Sequence, residues 1–230
     1  MEQPSVDELK NWRNVMLLHR FALEEVNTKL KILNEEFQFI HDYNPMEHLK
    51  SRVKSLESIG AKLEKKQVDI TPENALKYVH DIAGIRITCS FVSDIFRIHE
   101  MLAGQSDITI KRVKDYVTNP KPNGYRSLHL LCEVPVFLTN RSEKMMVEIQ
   151  IRTVAMDFWA SLEHKIYYKY QQEAPIELVK ELQDAARIIT HLDEKMKNLN
   201  DQIDQYKKEK RKNKSNRELY FFASGMDAKK

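Results

Sequence analysis

The run "MMVEIQIRT", Met145 to Thr153, alternates apolar with polar side chains. Successive side chains of an extended chain point to opposite faces, so Val147, Ile149 and Ile151 form one face and Glu148, Gln150 and Arg152 the other. This is a half-buried strand, and the same period recurs upstream. Leu128, Leu130, Cys132 and Val134 alternate with Ser127, His129, Leu131 and Glu133. Ile85, Ile87, Cys89 and Phe91 alternate with Arg86, Thr88 and Ser90, and "DITIKRVKDYV", 107–117, supplies a further strand. Asp94 to Ala103 between them has helical spacing. The middle of the chain therefore predicts a sheet of about four or five strands with helices packed on one face, an α+β arrangement.

Outward from the sheet the period becomes helical. Leu9, Trp12, Val15, Met16, Leu23, Val26, Leu30 and Leu33 recur three or four apart, the stripe of an amphipathic helix. A second helix is expected over about Pro45 to Gln67, carrying Arg52, Lys54, Lys62, Lys65 and Lys66, and a short helix capped by Thr71 runs towards His80. Pro175 restarts a long helix to about Lys214, with Ile176, Val179, Leu182, Ala186, Ile189, Leu192, Met196, Leu199, Ile203 and Tyr206 in a narrow seam of coiled-coil type. The chain thus divides into an N-terminal helical segment (1–44), a sheet-bearing segment (45–174), and a long C-terminal helix with a polar tail (175–230).

Lys plus Arg number 37 against 34 Asp plus Glu, a net charge of +3. That is too little for a protein that coats nucleic acid, so any preference for anions is local and nucleic acid is not required. The only cysteines, Cys89 and Cys132, lie inside apolar strands and read as buried thiols of a reducing, cytoplasmic protein. Charges interrupt every run that approaches the ~20 apolar residues of a membrane span, and neither membrane insertion nor secretion is expected.

The polar faces of the strands carry the chemistry. A sheet covered by helices on one side can simply wet the other, but Arg86, Tyr125, His129, Glu148, Gln150 and Arg152 are not the Thr, Lys and Ser of an ordinary wet face. The basic helix, with Lys111, Arg112, Lys114 and Lys121, offers cations for a polyphosphate. Asp81 and Glu148 are the acids nearest those strands, and acids beside phosphates repel them unless a divalent cation, most often Mg²⁺, lies between. That combination points to phosphoryl transfer. Tyr125 leaves the stiff turn of "NPKPNGY", 119–125, where an aromatic ring suits stacking on a base. The pair His80-Asp81 is too short to mark a metal phosphohydrolase, and no Walker A loop, GxGxxG, HExxH or CxxC occurs.

"HDIAGIRITCSF", "RVKDYVTNPKPNGYRSLH" and "VEIQIRTVAMDFWASLEHKIYYK" together resemble the synthetase domain of the RelA/SpoT alarmone enzymes, and the length resembles the stand-alone small synthetases of the RelP type. The resemblance implies a nucleotidyltransferase-like mixed sheet of about five strands and, in 45–174, a catalytic domain that transfers pyrophosphate from ATP to the 3′-hydroxyl of GDP or GTP. The products are AMP and the stringent-response alarmones ppGpp or pppGpp, without hydrolase activity. It implies Asp81 and Glu148 as Mg²⁺ ligands, with Glu148 alternatively the general base. It places Arg52, Lys54, Ser58, Lys62, Lys65 and Arg86 on ATP, and Lys114, Lys121, Tyr125, His129, Gln150 and Asp157 on GDP or GTP. It also implies a homotetramer, with the C-terminal helix as the oligomer contact. Two other readings stay open at this point: a guanine-nucleotide or RNA binding module without chemistry, and a helical interaction scaffold built on the C-terminal seam.

Overall fold

β5 (Ser142–Thr153), which contains the run Met145 to Thr153, is the central strand of the sheet in a computed structural model that describes residues 6–40, 43–169 and 175–226. The other strands are β1 (His48–Val53), β2 (Ala83–Cys89), β3 (Thr109–Asp115) and β4 (Leu128–Phe137), in the order β1-β2-β5-β4-β3. β2 and β5 run parallel and every other neighbouring pair antiparallel. The helices are α1 (Val6–Ile40), α2 (Leu56–Lys65), α3 (Pro72–Tyr78), α4 (Val92–Ala103), α5 (Val154–Lys169) and α6 (Ile176–Met226).

The apolar face of the sheet is built from Ile85, Ile87, Leu130, Cys132, Val147, Ile149 and Ile151, all essentially without solvent contact. Against it pack Leu18, Ala22, Leu23, Val26 and Leu30 of α1 and Ile95, Ile98 and Leu102 of α4. Each fully buried Leu or Ile contributes about 1.5–3 kcal/mol relative to exposure, so this layer holds the sheet and turns its other face outward. Both cysteines are free and buried, and burial pushes the Cys132 thiol up to about 12, which leaves it inert as a nucleophile.

Smaller clusters seat the remaining helices at the ends of the sheet. Ile59 and Leu63 of α2, Ala75 of α3, Val79 and Ile82 gather around Val15 of α1. At the other end Trp159 and Ala160 of α5 meet Leu182 and Ala186 of α6, with Tyr125 against them. Ser55 caps α2, its hydroxyl accepting from Ser58 N, and Thr71 caps α3 by accepting from Asn74 N, satisfying donors that a helix start leaves open.

The helix expected over Pro45 to Gln67 is instead a strand followed by a shorter helix. Pro45 suits a first helical turn, and the spacing of Leu49 and Val53 fits a helix and a strand alike. Pairing of β1 with β2 decides between them, because edge strands are specified by their neighbours and not by propensity. α6 also runs past Lys214 to Met226; the polar run 207–217 holds no Gly or Pro that would end it. The boundary at 174 falls within 170–174, outside the described residues. Among the described residues no helix is long and apolar enough to cross a membrane.

Candidate active site

Strand register decides whether the polar faces coincide. Lys50, Arg86, Gln150, His129 and Lys114 are aligned across β1, β2, β5, β4 and β3, and Arg52, Gly84, Glu148, Leu131 and Arg112 form the next row. Paired residues in register share a face, so these side chains all stand on the side away from α1 and α4. A β-bulge between Ile110 and Arg112 brings Arg112 opposite Leu131. An extra residue there shifts the alternation by one and turns both Arg112 and Lys114 to the polar face. Lys111 is thereby excluded and pairs with Glu133 at 3.1 Å. Gly84 leaves a gap between Arg52 and Glu148, since a Cβ at that position would meet nothing nearer than Arg52 O at 3.9 Å.

Two clefts open on this face. One, of about 280 Å³, is lined by Lys62, Lys66, Lys77, Arg112 and Lys114, with His80, His129, Asp81 and Glu148. The other, of about 200 Å³, is lined by Lys50, Arg52, Gly84, Arg86, Gln150 and again Asp81 and Glu148. The two acids therefore belong to both clefts. Lys54 Nζ and Lys62 Nζ donate to Asp81 at 2.8 and 2.7 Å. Burial pushes the Asp81 carboxyl up, but the two ammonium groups outweigh it and hold it below the usual carboxylate range. Burial likewise raises Glu148, and hydrogen bonds from His129 and Gln150 more than offset this. Both groups are ionised at neutral pH.

Behind Glu148 the side chains close a ring. Gln150 Nε2 donates to Glu148 Oε2 at 2.8 Å, while Gln150 Oε1 accepts from Arg152 Nη2 at 2.9 Å. Arg152 Nη2 also donates to Tyr125 OH at 2.5 Å, and that hydroxyl lies 2.7 Å from His129 Nε2. His129 Nδ1 is 3.6 Å from Glu148 Oε1. The tautomer with the proton on Nδ1 satisfies every contact: Tyr125 then donates to Nε2, and N–H faces the carboxylate. Asp157, from the first turn of α5, binds Arg152 Nη1 at 3.2 Å and Arg86 Nη1 at 3.1 Å. Lys121 Nζ sits over the rings of Tyr116 and Tyr125, 4.8 and 4.6 Å from their centroids.

The residues singled out in the sequence are largely gathered here. Asp81, Glu148, Arg52, Lys62, Arg86, Lys114, His129 and Gln150 line one cleft or the other, and Lys54 reaches Asp81. Gln150, paired with His129 across β4 and β5, lines the Arg52 and Arg86 cleft, whereas Lys114 and His129 line the other. Tyr125, Lys121 and Asp157 border this face without lining either cleft. Ser58 bonds to Ser55 at the start of α2, and Lys66 rather than Lys65 reaches the cleft.

A family described as the region found in RelA / SpoT proteins matches residues 51–173, more than half of the chain. The chain belongs to the RelA/SpoT family. A RelA/SpoT relative, the GTP pyrophosphokinase YwaC of Bacillus subtilis, is 52% identical over 203 residues, covering 86% of this chain and 97% of that protein. The small alarmone synthetase 2 of Bacillus subtilis has the same fold, with a TM-score of 0.77 at 51% identity over 83% of this chain and 98% of the other. The small alarmone synthetase 1 of that organism, solved bound to its product pppGpp, gives 0.78 at 36% identity over 84% and 98%. It has also been solved bound to AMPCPP.

Within this RelA/SpoT site, sequence reading underrated Arg152. Its side chain is only 5% exposed and binds Ser127, Asp157, Tyr125 and Gln150. The available signal was its place two residues after Gln150 on the polar face of β5. His80 and Lys77 in the larger cleft carried no comparable signal, because α3 and the turn after it bring them there.

Proposed function

We propose that this chain is a GTP pyrophosphokinase that transfers pyrophosphate from ATP to the 3′-hydroxyl of GDP or GTP, releasing AMP and making ppGpp or pppGpp. The observation that carries the reading is the pair Asp81 and Glu148 shared by two cation-lined clefts, since a transfer between two nucleotides needs two adjoining sites and one reacting point. ATP takes the Arg52 and Arg86 side, with its phosphates reaching Lys54 and Lys62. The guanosine nucleotide takes the Lys114, Lys121, His129 and Tyr125 side, with Asp157 at its border. A base stacking on Tyr125 takes a place now held by the Lys121 ammonium or by the Arg152 guanidinium, 5.1 Å from the ring centroid. Ser58 and Lys65 of α2 are the remaining proposed phosphate contacts, although neither lines a cleft, and Lys66 takes the place of Lys65 there.

Glu148 is ionised, faces both clefts and accepts the proton of the 3′-hydroxyl. The ribose oxygen bonds to the β-phosphorus as the bond from that phosphorus to the α,β-bridging oxygen breaks, and AMP leaves. Lys62, Lys66 and Arg112 stabilise charge on the transferring group. Among the described residues no three His, Cys, Asp or Glu side chains form a metal cluster. Two carboxylates facing a phosphate site do suit Mg²⁺, which completes its shell with phosphate oxygens and water. Asp81 and Glu148 would hold it, and when bound it would neutralise phosphate charge. Lys54 and Lys62 neutralise Asp81 otherwise. The two free cysteines are in keeping with the proposed cytoplasmic setting, and the exposed apolar residues of α6 from Ile188 onward with contact to further copies in the proposed homotetramer.

Incubation with γ-labelled ATP, Mg²⁺ and either GDP or GTP, followed by product separation, tests the reading. AMP and a labelled guanosine product are expected. Asp81→Asn and Glu148→Gln are each expected to abolish AMP release while leaving the circular dichroism spectrum intact. Near-normal turnover in either variant removes its proposed role.

A further inference from the structure

α6 carries a buried carboxylate that the substrate chemistry does not use. Asp193 is 4% exposed. Its Oδ2 accepts from Thr153 Oγ1 at 3.1 Å, 40 residues away in the chain, and lies 3.9 Å from Arg126 Nη1. A buried carboxylate is unfavourable unless it is paired and hydrogen-bonded, so its presence between α6 and the sheet calls for a physical reason. Both partners adjoin the ring behind Glu148.

Thr153 follows Arg152, and its hydroxyl accepts from Met156 N at 3.1 Å. That bond caps the first turn of α5, which bears Asp157. Arg126 follows Tyr125 and donates from Nε and Nη2 to Val117 O at 3.2 and 3.1 Å, closing the base of the turn that ends at Tyr125. One carboxylate from outside the sheet thus contacts the residue next to Arg152 and the residue next to Tyr125.

The same helix grips the turn at two more points. Gln183 Nε2 donates to Pro122 O at 3.0 Å. Gly124, at φ +89°, lies so close to α6 that a Cβ there would stand 2.4 Å from Ala186 Cβ; only glycine combines that left-handed backbone with that approach. Trp159 Nε1 donates to Leu182 O at 2.9 Å, fixing α5 to the same stretch of helix.

We propose that Asp193 is a positioning residue of the active site: by holding Arg126 and Thr153 from α6, it sets the places of Tyr125 and Asp157 on the guanosine-nucleotide side. The proposal rests on the reading of Tyr125 given above. It makes α6 part of the substrate site in addition to an oligomer contact, so that a displacement of this helix is felt as a change in guanosine-nucleotide affinity.

The test uses the full chain with Asp193→Asn, which keeps an acceptor for Thr153 and removes the charge beside Arg126, and with Arg126→Gln. In Asp193→Asn, amide hydrogen exchange is expected to speed up about tenfold in 116–127 while the central strands keep wild-type protection. KM for GDP or GTP is expected to rise about fivefold or more, with KM for ATP within about twofold. Because both groups act through one contact, the double variant is expected to be no worse than the poorer single one. Unchanged exchange in 116–127 overturns the proposal, as does acceleration spread evenly over the sheet or an equal rise in both KM values. Should either variant fail to fold, the other decides by the same readouts. Absence of AMP formation by the wild-type chain would refute the assigned reaction instead, and the exchange data would then decide alone whether Asp193 holds the turn.

Discussion

Gly84 shows how much one missing side chain decides. Arg52 and Glu148 flank it in the cross-strand row, and the absence of a Cβ opens the floor of the smaller cleft. The backbone there has room for a side chain, so Gly84→Leu is expected to keep a melting temperature near wild type in scanning calorimetry and to bind a non-hydrolysable ATP analogue at least about tenfold more weakly, or ~1.4 kcal/mol, in calorimetric titration. Asp81 has a consequence in pH. Its folded pKa is depressed below 3.8, so the unfolded chain binds the proton more tightly. The stability this confers is fully present above 3.8 and is lost as the pH falls through the folded value. Chemical denaturation at a series of pH values from about 5 to about 2 is expected to show a steeper acid loss in wild type than in Asp81→Asn. Equal slopes would mean that Lys54 and Lys62 add nothing to the fold. At this scale much was legible: alternation put Glu148 and His129 on polar faces and Asp81 stood out as an acid near the strands, whereas Arg152 was placed on the polar face without a role, because its partners Ser127, Tyr125 and Asp157 come from other parts of the chain.

At the scale of elements, the larger cleft depends on where α2 sits. Ser55 caps it, Ile59 and Leu63 bury its apolar side, and Lys62 and Lys66 emerge on the side of the cleft. Ser55→Ala is expected to cost ~1 kcal/mol by denaturant titration and to weaken ATP binding in parallel, because the first turn of α2 frays beside the phosphate site. A stability loss with unchanged ATP affinity would detach α2 from that role. β1 and the bulge in β3 teach the complementary lesson. Leu49 and Val53 fit both periods, and an inserted residue at Lys111 reverses which of its neighbours face the cleft. Neither feature has a local signal, since each is fixed by hydrogen bonding to an adjacent strand.

For the whole molecule, α6 presents two sides. Its inner side holds Trp159, Gly124 and Arg126, while Ile188, Leu192, Leu199 and Ile203 are 70%, 47%, 43% and 51% exposed. A stripe of that kind on a long helix suits a second copy of the chain. Leu192→Glu combined with Leu199→Glu is expected to lower the mass measured by sedimentation; an unchanged mass would place any oligomer contact elsewhere. Deletion beyond Pro175 is a poorer test, because it also strips the inner contacts of α6 from the Tyr125 turn.

The sequence by itself determined four of the five strands, their apolar and polar faces, the capped start of α3 and the types of residue available for catalysis, because period and capping are properties of a few neighbouring residues. Only the tertiary structure decided that the polar faces coincide, that Asp81 and Glu148 border both clefts, and that a helix beyond the sheet reaches back to the Tyr125 turn. Those relations join residues far apart in the chain, and strand register, bulge position and helix docking are set by the packing free energy of the whole and not by any local pattern.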